Sequence, residues 1–379
     1  SGNCLGGRLS YVAGFRRDKS ELTSRNGDTA TRDRVTGAFG SYTVEERVAY
    51  NNTRTFGLVY FPWSRIGAYA DYSEGFTIQS NANPKMDGTF AGANIVPSKA
   101  ESAGVRFRLA STESLTIVGS AGYYQAEQGN SAISINVGAV NTLWSNHRMP
   151  ERYIETFSSS PTVTAANNSI QSTRSYAGKG WEGSVTVNIA NSLRLVFNAA
   201  FPRTRQFDTA ADFRAYVAKN TPLWEQWSND PANPTRVSDA NQLRTIQNTV
   251  NGFQDERVQN GTYDHRYNVL GVYTLRSGPA RGLRIGAGAQ FYGPRVIGNE
   301  IDRPYDYVYA RAYHLVSGSL GYTFRLPRAR LDLQANVDNL LDHDTPMYNG
   351  MFVLGNRLVP YGFRRMNPRE LRLTSTLRF

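Results

Sequence analysis

Apolar and polar side chains alternate with a period of two along much of the chain, most clearly over its last residues. There Leu371, Leu373, Leu377 and Phe379 occupy one set of alternate positions, and arginine and threonine residues occupy the other. Successive side chains of a β-strand point to opposite faces of its sheet. The pattern therefore predicts strands with one apolar and one polar face.

Segments of this kind recur along the whole sequence, and most of them are about 10 residues long or longer. That length suits tilted strands that cross a membrane better than the shorter strands typical of soluble sheets. Collecting the segments predicts about twelve strands. Their ranges are 5–17, 52–61, 65–73, 98–110, 114–125, 180–190, 193–202, 262–276, 282–292, 309–325, 329–340 and 369–379.

The connections between the predicted strands alternate between short and long. Tight periplasmic turns and long extracellular loops are typical of a transmembrane barrel, whereas a soluble sandwich has no reason to keep this asymmetry. We therefore predict an all-β fold, a transmembrane antiparallel β-barrel with its short turns in the periplasm. The short turns are 62–64, 111–113, 191–192, 277–281 and 326–328, and the long loops are 18–51, 74–97, 126–179, 203–261, 293–308 and 341–368.

Composition agrees with this interpretation and excludes two others. No run of about 18 apolar residues occurs, which excludes a membrane-spanning helix. The chain has 34 glycines and 22 tyrosines but only 19% charged residues, as suits strands with one lipid-facing side. The formal net charge is +11, but the basic residues are spread along the chain without clusters or a recognisable motif. Nucleic-acid binding is therefore not expected.

Three stretches resemble TonB-dependent outer-membrane receptors, especially those for siderophores. Residues 336–344 read Asn-Val-Asp-Asn-Leu-Leu-Asp-His-Asp, similar to the segment that ends the penultimate strand of that family. Residues 363–379 are similar to its closing strand with a terminal Phe. Residues 69–76 and 96–101 resemble a further strand and its following Pro-Glu stretch, although Ser98 follows Pro97 here.

The resemblance implies a barrel of about 22 strands around an N-terminal plug, whose TonB box is pulled by an inner-membrane energy complex. Residues 1–379 would then be the C-terminal portion of the barrel domain, with the plug and about ten strands before Ser1. The implied function is energised import of a scarce ligand, in particular a ferric siderophore, across the bacterial outer membrane. The alternative is a passive porin or another non-energised barrel, since a complete twelve-stranded barrel is physically allowed.

Candidate ligand-binding residues follow from the assignment of polar faces. Alternation places five arginine and tyrosine side chains inward near the outer mouth of the barrel, where they would bind an anionic or catecholate-like ligand by charge-assisted hydrogen bonds and stacking. Lumen arginines paired with acidic residues, without any ligand, are the alternative. The five residues are Tyr124, Arg266, Tyr292, Arg311 and Tyr313.

The segment 203–261 is too long for a plain loop. It contains a predicted short helix over 208–219, in which Phe213, Tyr216 and Val217 share one face after a possible N-cap at Asp208. Trp224 and Trp227 follow as candidates for ligand capture. We interpret the segment as an extracellular lid over the ligand, with ordinary surface packing as the equal alternative.

Chemistry at a catalytic or metal centre has no support in the sequence. His147 and His343 lie in predicted loops without a second histidine at metal-ligand spacing, and are expected to be solvated. Asp264 and His265 are adjacent on a predicted strand, so their side chains should point apart. No nucleophile-elbow, Walker or paired-cysteine motif occurs. We therefore predict no enzyme activity, no metal and no cofactor.

Overall fold

The computed structural model describes residues 1–27, 38, 40–84, 90–147, 169–253, 255–299, 306–354 and 357–379. This part of the chain forms strands β1 to β17 and helices α1 to α3. None of the described helices combines the length and apolar character needed to cross a membrane. The strands are Gly2–Cys4, Leu9–Gly27, Tyr42–Tyr60, Ile66–Pro84, Phe90–Ser111, Leu115–Asn136, Ser169–Ile189, Leu193–Phe207, Arg266–Thr274, Arg284–Tyr292, Arg295–Asn299, Tyr307–Ala310, Tyr313–Arg325, Arg330–Asp338, Met347–Leu354, Arg357–Arg364 and Glu370–Arg378, and the helices are Gly138–Asn146, Ala211–Asn229 and Arg236–Asn251.

Thirteen of these strands form one antiparallel sheet whose spatial order follows the chain. The pairs β11–β12 and β15–β16 are separate hairpins, inserted between β10 and β13 and between β14 and β17. Each of the twelve predicted segments overlaps one of the strands β2 to β10, β13, β14 and β17. The predicted antiparallel all-β class is confirmed. The total of about 22 strands in the whole barrel stays a prediction.

The strands from β2 to β8 are longer than the alternation predicts. Residues 18–27, 42–51, 74–84 and 90–97 belong to predicted loops but are strand, and Gly27 at the end of β2 still pairs with Tyr42 of β3. Backbone pairing continues beyond the apolar segment that faces lipid. In these extensions polar residues are frequent, and some apolar ones, such as Ile135 of β6 and Ile170 of β7, are buried. Because the sequence pattern reports only the apolar segment, it misses these extensions.

One face of the sheet, here called the apolar face, carries the exposed large hydrophobic residues. Its apolar positions on three neighbouring strands lie within 115–123, 181–189 and 193–201. Nine residues are close to the length of a membrane-crossing strand. Tyr123, Trp181 and Phe201 end these segments toward the long connections, and the rings of Tyr123 and Trp181 are 5.4 Å apart. They form an aromatic belt on this part of the sheet.

The opposite face, here called the polar face, carries small and polar side chains. The Ser102 hydroxyl donates a hydrogen bond of 2.5 Å to Asp71, and the hydroxyls of Ser120 and Ser184 are 3.1 Å apart. Tyr69 lies across Gly122, where an added Cβ would overlap the tyrosine hydroxyl. A larger residue at this position would force the Tyr69 side chain to move.

The most completely buried apolar cluster lies in the helices α1, α2 and α3, here called the helical cap, and in the adjoining ends of β6 and β7. Trp144, Phe213 and Trp224 are among its largest side chains, each at most 2% exposed. The predicted shared face of Phe213, Tyr216 and Val217 does pack into this cluster. The remaining buried members are Ile135, Val137, Val140, Leu143, Ile170, Ala210, Leu243 and Ile246.

The predicted helix over 208–219 is wrong in its bounds. Helix α2 begins at Ala211 and ends at Asn229, and the sequence pattern did not predict α3 at all. Asp208 has a positive φ of 50° and lies outside the helix. The acidic residue that acts at this end is Asp212, whose carboxylate accepts a hydrogen bond of 2.8 Å from the Phe213 amide.

Candidate ligand-binding site

Three of the five predicted binding residues meet on the polar face, at the ends of β9, β10 and β13 that adjoin the long connections. Tyr292 pairs with Arg266 on one side and with Tyr313 on the other. The rings of Tyr292 and Tyr313 stack with centroids 4.7 Å apart. The Arg266 guanidinium carbon lies 5.7 Å from the centroid of the Tyr292 ring. The alternation of side chains along each strand therefore predicted correctly that these three residues lie on one face of the sheet.

Two residues that the sequence did not single out complete this group. The Tyr263 hydroxyl lies 3.1 Å from that of Tyr313, and Arg266 lies 4.4 Å from the centroid of the Tyr263 ring. Arg295, on β11, approaches the same ring at 5.7 Å. We call Tyr263, Arg266, Tyr292, Arg295 and Tyr313 the mouth cluster.

The two arginines of the mouth cluster are not neutralised by any acidic side chain that the structure describes. Within the described ranges, neither Arg266 nor Arg295 forms an ion pair with a carboxylate. Arg295 donates a hydrogen bond to the backbone carbonyl of Tyr348, which joins β11 to β15. Two guanidinium groups among tyrosine rings can bind an anionic or aromatic ligand by bidentate hydrogen bonds and cation–π contacts.

The other two predicted lumen residues lie outside the mouth cluster. Tyr124 is on β6, three strands from Arg266 on β9. Arg311 is an exposed residue between β12 and β13. The alternation assigned a face to Tyr124 but could not tell how far around the sheet it lies from the other candidates.

Trp224 and Trp227, the predicted capture residues, belong to the helical cap. Trp224 is completely buried, with its ring 5.7 Å from that of Trp144. Trp227 stacks on the imidazole of His147 at 3.7 Å. In this arrangement Trp224 contacts the core of the cap, so its contribution to a ligand would be indirect. A capture role for Trp227 stays a prediction.

The expectation that His147 is solvated is wrong. Its side chain is only 16% exposed, and Nε2 lies 2.8 Å from the completely buried carboxylate of Asp239. The same carboxylate accepts hydrogen bonds from Asn146 and Asn233, each at 2.8 Å, and from Thr235 at 3.0 Å. These contacts join the end of α1 to α3 and to the connection before it.

The charge state of Asp239 follows from these contacts. Burial alone would raise the pKa of its carboxyl. The hydrogen bonds from its four partners outweigh burial and hold the pKa below the ordinary value of an aspartate. Asp239 is therefore ionised at neutral pH, and a buried anion connects two of the helices.

Two further expectations about histidines are also corrected. Asp264 and His265 do approach each other, with 3.3 Å between the carboxylate and Nδ1, because both precede β9 and are not on a regular strand. His343 is partly buried, and its Nε2 lies 2.7 Å from the Thr345 hydroxyl. Across the ranges that the structure covers, no group of three potential metal ligands is found.

The geometry defines a membrane-crossing antiparallel sheet with a cationic and aromatic cluster at one end of its polar face. The family "TonB dependent receptor-like, beta-barrel" matches residues 5–340, and the chain belongs to this family. The protein is accordingly part of an outer-membrane β-barrel of a Gram-negative bacterium. No curated protein matches the sequence significantly.

Several solved receptors share the fold at low sequence identity. The ferric preacinetobactin receptor BauA of Acinetobacter baumannii has a TM-score of 0.57 and 10% identity, over 100% of this chain and 41% of the receptor. The ferripyoverdine receptor of Pseudomonas aeruginosa has a TM-score of 0.53 and 15% identity, over 97% of this chain and 39% of the receptor. The ferric yersiniabactin receptor FyuA of Yersinia pestis has a TM-score of 0.53 and 12% identity, over 99% of this chain and 43% of the receptor. The chain thus spans about two fifths of the length of these receptors.

Proposed function

We propose that the protein is the C-terminal barrel portion, residues 1–379, of an outer-membrane receptor that imports a ferric siderophore with energy supplied through TonB. Family membership and the mouth cluster, whose two arginines form no ion pair with a described carboxylate, support this proposal. In the proposal the long connections, including 203–261, are extracellular, and the plug and its contact with the inner-membrane TonB complex belong to the rest of the protein.

The mouth cluster would act by noncovalent binding. Ferric siderophores present anionic or aromatic iron-chelating groups, which suit the guanidinium groups of Arg266 and Arg295. The stacked rings of Tyr292 and Tyr313 would hold a flat chelating group, and their hydroxyls would supply hydrogen bonds. No step makes or breaks a covalent bond, so the proposed protein is a transporter without enzyme activity or a resident cofactor.

Ferric preacinetobactin, ferripyoverdine and ferric yersiniabactin are the ligands of the similar receptors, and they define a first panel for screening. Binding and uptake of radioactive iron would be measured with the full-length receptor in cells grown under iron limitation. Replacement of Arg266 by alanine should weaken binding of the recognised complex about tenfold or more, as expected for loss of a charged hydrogen bond of about 1.5–3 kcal/mol.

Arg284→Ala is the matched control, because Arg284 lies on the polar face at the opposite end of β10. This variant should keep the affinity of the unchanged receptor. Uptake that continues without TonB would contradict energised import and favour the passive porin. An unchanged affinity in Arg266→Ala would remove the mouth cluster from the binding site.

The segment 203–261, which contains α2 and α3 of the helical cap, is proposed to be a lid over the ligand. Deletion of residues 206–258 removes α2 and α3 and should reduce ligand affinity at least about tenfold, since contacts that enclose a ligand mainly slow its dissociation. Dissociation rates would be measured with full-length receptors whose barrels keep their heat-modifiable migration. If ligand affinity and dissociation stay unchanged, the cap is ordinary surface packing and the lid proposal is wrong.

A further inference from the structure

Two basic side chains stand directly opposite each other on β7 and β8. Lys179 pairs with Arg203 in the register of these strands, and both side chains are exposed. They point to the same side as Trp181 and Phe201, which form the next pair on the apolar face. Lys179 and Arg203 therefore occupy the first positions on this face beyond the aromatic belt.

Like charges directly opposite each other in a sheet destabilise it. No described carboxylate relieves this repulsion, because neither residue forms an ion pair with one. Gln125 is the neighbour of Lys179 on β6, and the nearest acidic residue in the same row is Glu101, one strand further away. Two strand spacings of about 4.8 Å place Glu101 about 10 Å from Lys179.

The basic residues at the next position on the same face, further from the belt, do form ion pairs. Lys179 and Arg203 therefore differ from their nearest basic neighbours. Lys99 forms an ion pair of 2.9 Å with Glu127, and Arg205 pairs with Glu256. The unpaired charge is thus concentrated at one level of the sheet. That level is set by the apolar segments 181–189 and 193–201, each of which has the length of one crossing of the hydrocarbon layer.

We propose that Lys179 and Arg203 bind a phosphate group of a lipid in the outer leaflet of the outer membrane. The compact ammonium and the forked guanidinium can donate hydrogen bonds to the same phosphate. Trp181, 61% exposed, and Phe201, 43% exposed, would lie against the apolar part of that lipid. The proposal uses the extracellular orientation of the long connections from the proposed function, but it does not depend on the transported ligand.

The test measures lipid binding by the full-length receptor in micelles. Diphosphorylated lipid A is compared with the same lipid after removal of its phosphates, and bound copies are counted by native mass spectrometry. The unchanged receptor should prefer the phosphorylated lipid about tenfold to thirtyfold, from about 1 kcal/mol per basic residue near a phosphate-bearing surface. Lys179→Gln with Arg203→Gln should abolish this preference.

Lys99→Gln is the control, because Lys99 already pairs with Glu127; it should keep the preference. If the double variant fails to fold, the exchange Lys179→Arg with Arg203→Lys provides a second test and should also keep it. Equal binding of both lipids by the unchanged receptor would overturn the proposal. So would full competition by the same concentration of inorganic phosphate, which would indicate an adventitious anion site. These results leave the TonB-dependent uptake measurement unaffected, so the two proposals fail independently.

Discussion

Trp224→Ala is expected to destabilise the helical cap by about 3–5 kcal/mol, the range for truncation of a fully buried tryptophan. The side chain is 0% exposed and packs against Trp144 and Tyr216, with ring centroids 5.7 and 6.1 Å away. The cavity left by the substitution would remove contacts between α1 and α2. Hydrogen exchange of the cap amides in the full-length receptor, followed by mass spectrometry, would measure the loss.

Trp224→Phe is the informative control for this prediction. The buried indole nitrogen of Trp224 has no hydrogen-bond partner among the described residues, so phenylalanine removes an unsatisfied donor while it keeps most of the ring. The loss of cap stability in Trp224→Phe should be clearly smaller than the loss in Trp224→Ala. Equal hydrogen exchange in Trp224→Ala and the unchanged protein would show that the cap does not depend on this cluster.

Asp239→Ala should also destabilise the cap by about 3–5 kcal/mol, because removing one partner from a buried charged network leaves the others unsatisfied. The substitution leaves Asn146, His147, Asn233 and Thr235 without their shared acceptor. Protection of amides in both α1 and α3 should fall together. Glu225→Gln is the control, since Glu225 is exposed on α2 and should change nothing.

The same residue predicts how cap stability depends on pH. The pKa of Asp239 is lower in the folded protein than in the unfolded chain, so its contribution is complete above the ordinary carboxyl pKa of about 4. Stability should be lost as the pH falls from there through the folded pKa. Asp239→Asn should remove this acid dependence, and an unaltered acid profile in that variant would contradict the assignment.

The sequence predicted the strands well where one face meets lipid and the other does not. In β17, Leu371, Leu373 and Leu377 alternate with polar residues, and the structure pairs this strand with β14 in the corresponding register. The extensions of β2 to β8 escaped prediction because they lie beyond the segments that face lipid, and some of their apolar residues, such as Val96 and Ile135, are buried in the protein instead. The period-two pattern therefore marks the segment of a strand that lies in the membrane and not the whole strand.

The candidate site likewise contains residues that the alternation predicted and residues that it missed. Arg266, Tyr292 and Tyr313 lie at strand ends, where parity determines the face of a side chain. Tyr263 lies in the connection before β9 and Arg295 on an inserted hairpin, so no alternation marks them. These two residues could be recognised only after the hairpin was placed beside the sheet.

His147 shows a third limit of the sequence. Its partner Asp239 is 92 positions away, and neither residue belongs to a recognisable motif. Only the packing of α1 against α3 brings them together. A histidine in a predicted loop is therefore not sufficient to conclude that it is solvated.

The unequal strand lengths give the described sheet an uneven upper edge. β6 continues from Tyr123 to Asn136, a rise of about 30 Å above the aromatic belt at 3.3 Å per residue and a tilt near 45°. β9 and β10 begin and end almost level with the belt, and beside the mouth cluster the inserted hairpins β11–β12 and β15–β16 take the place of long sheet strands. In the proposed receptor, a ligand would therefore meet continuous sheet on the β6 flank and separate hairpins on the other, so its access to the mouth cluster would depend on the position of these hairpins.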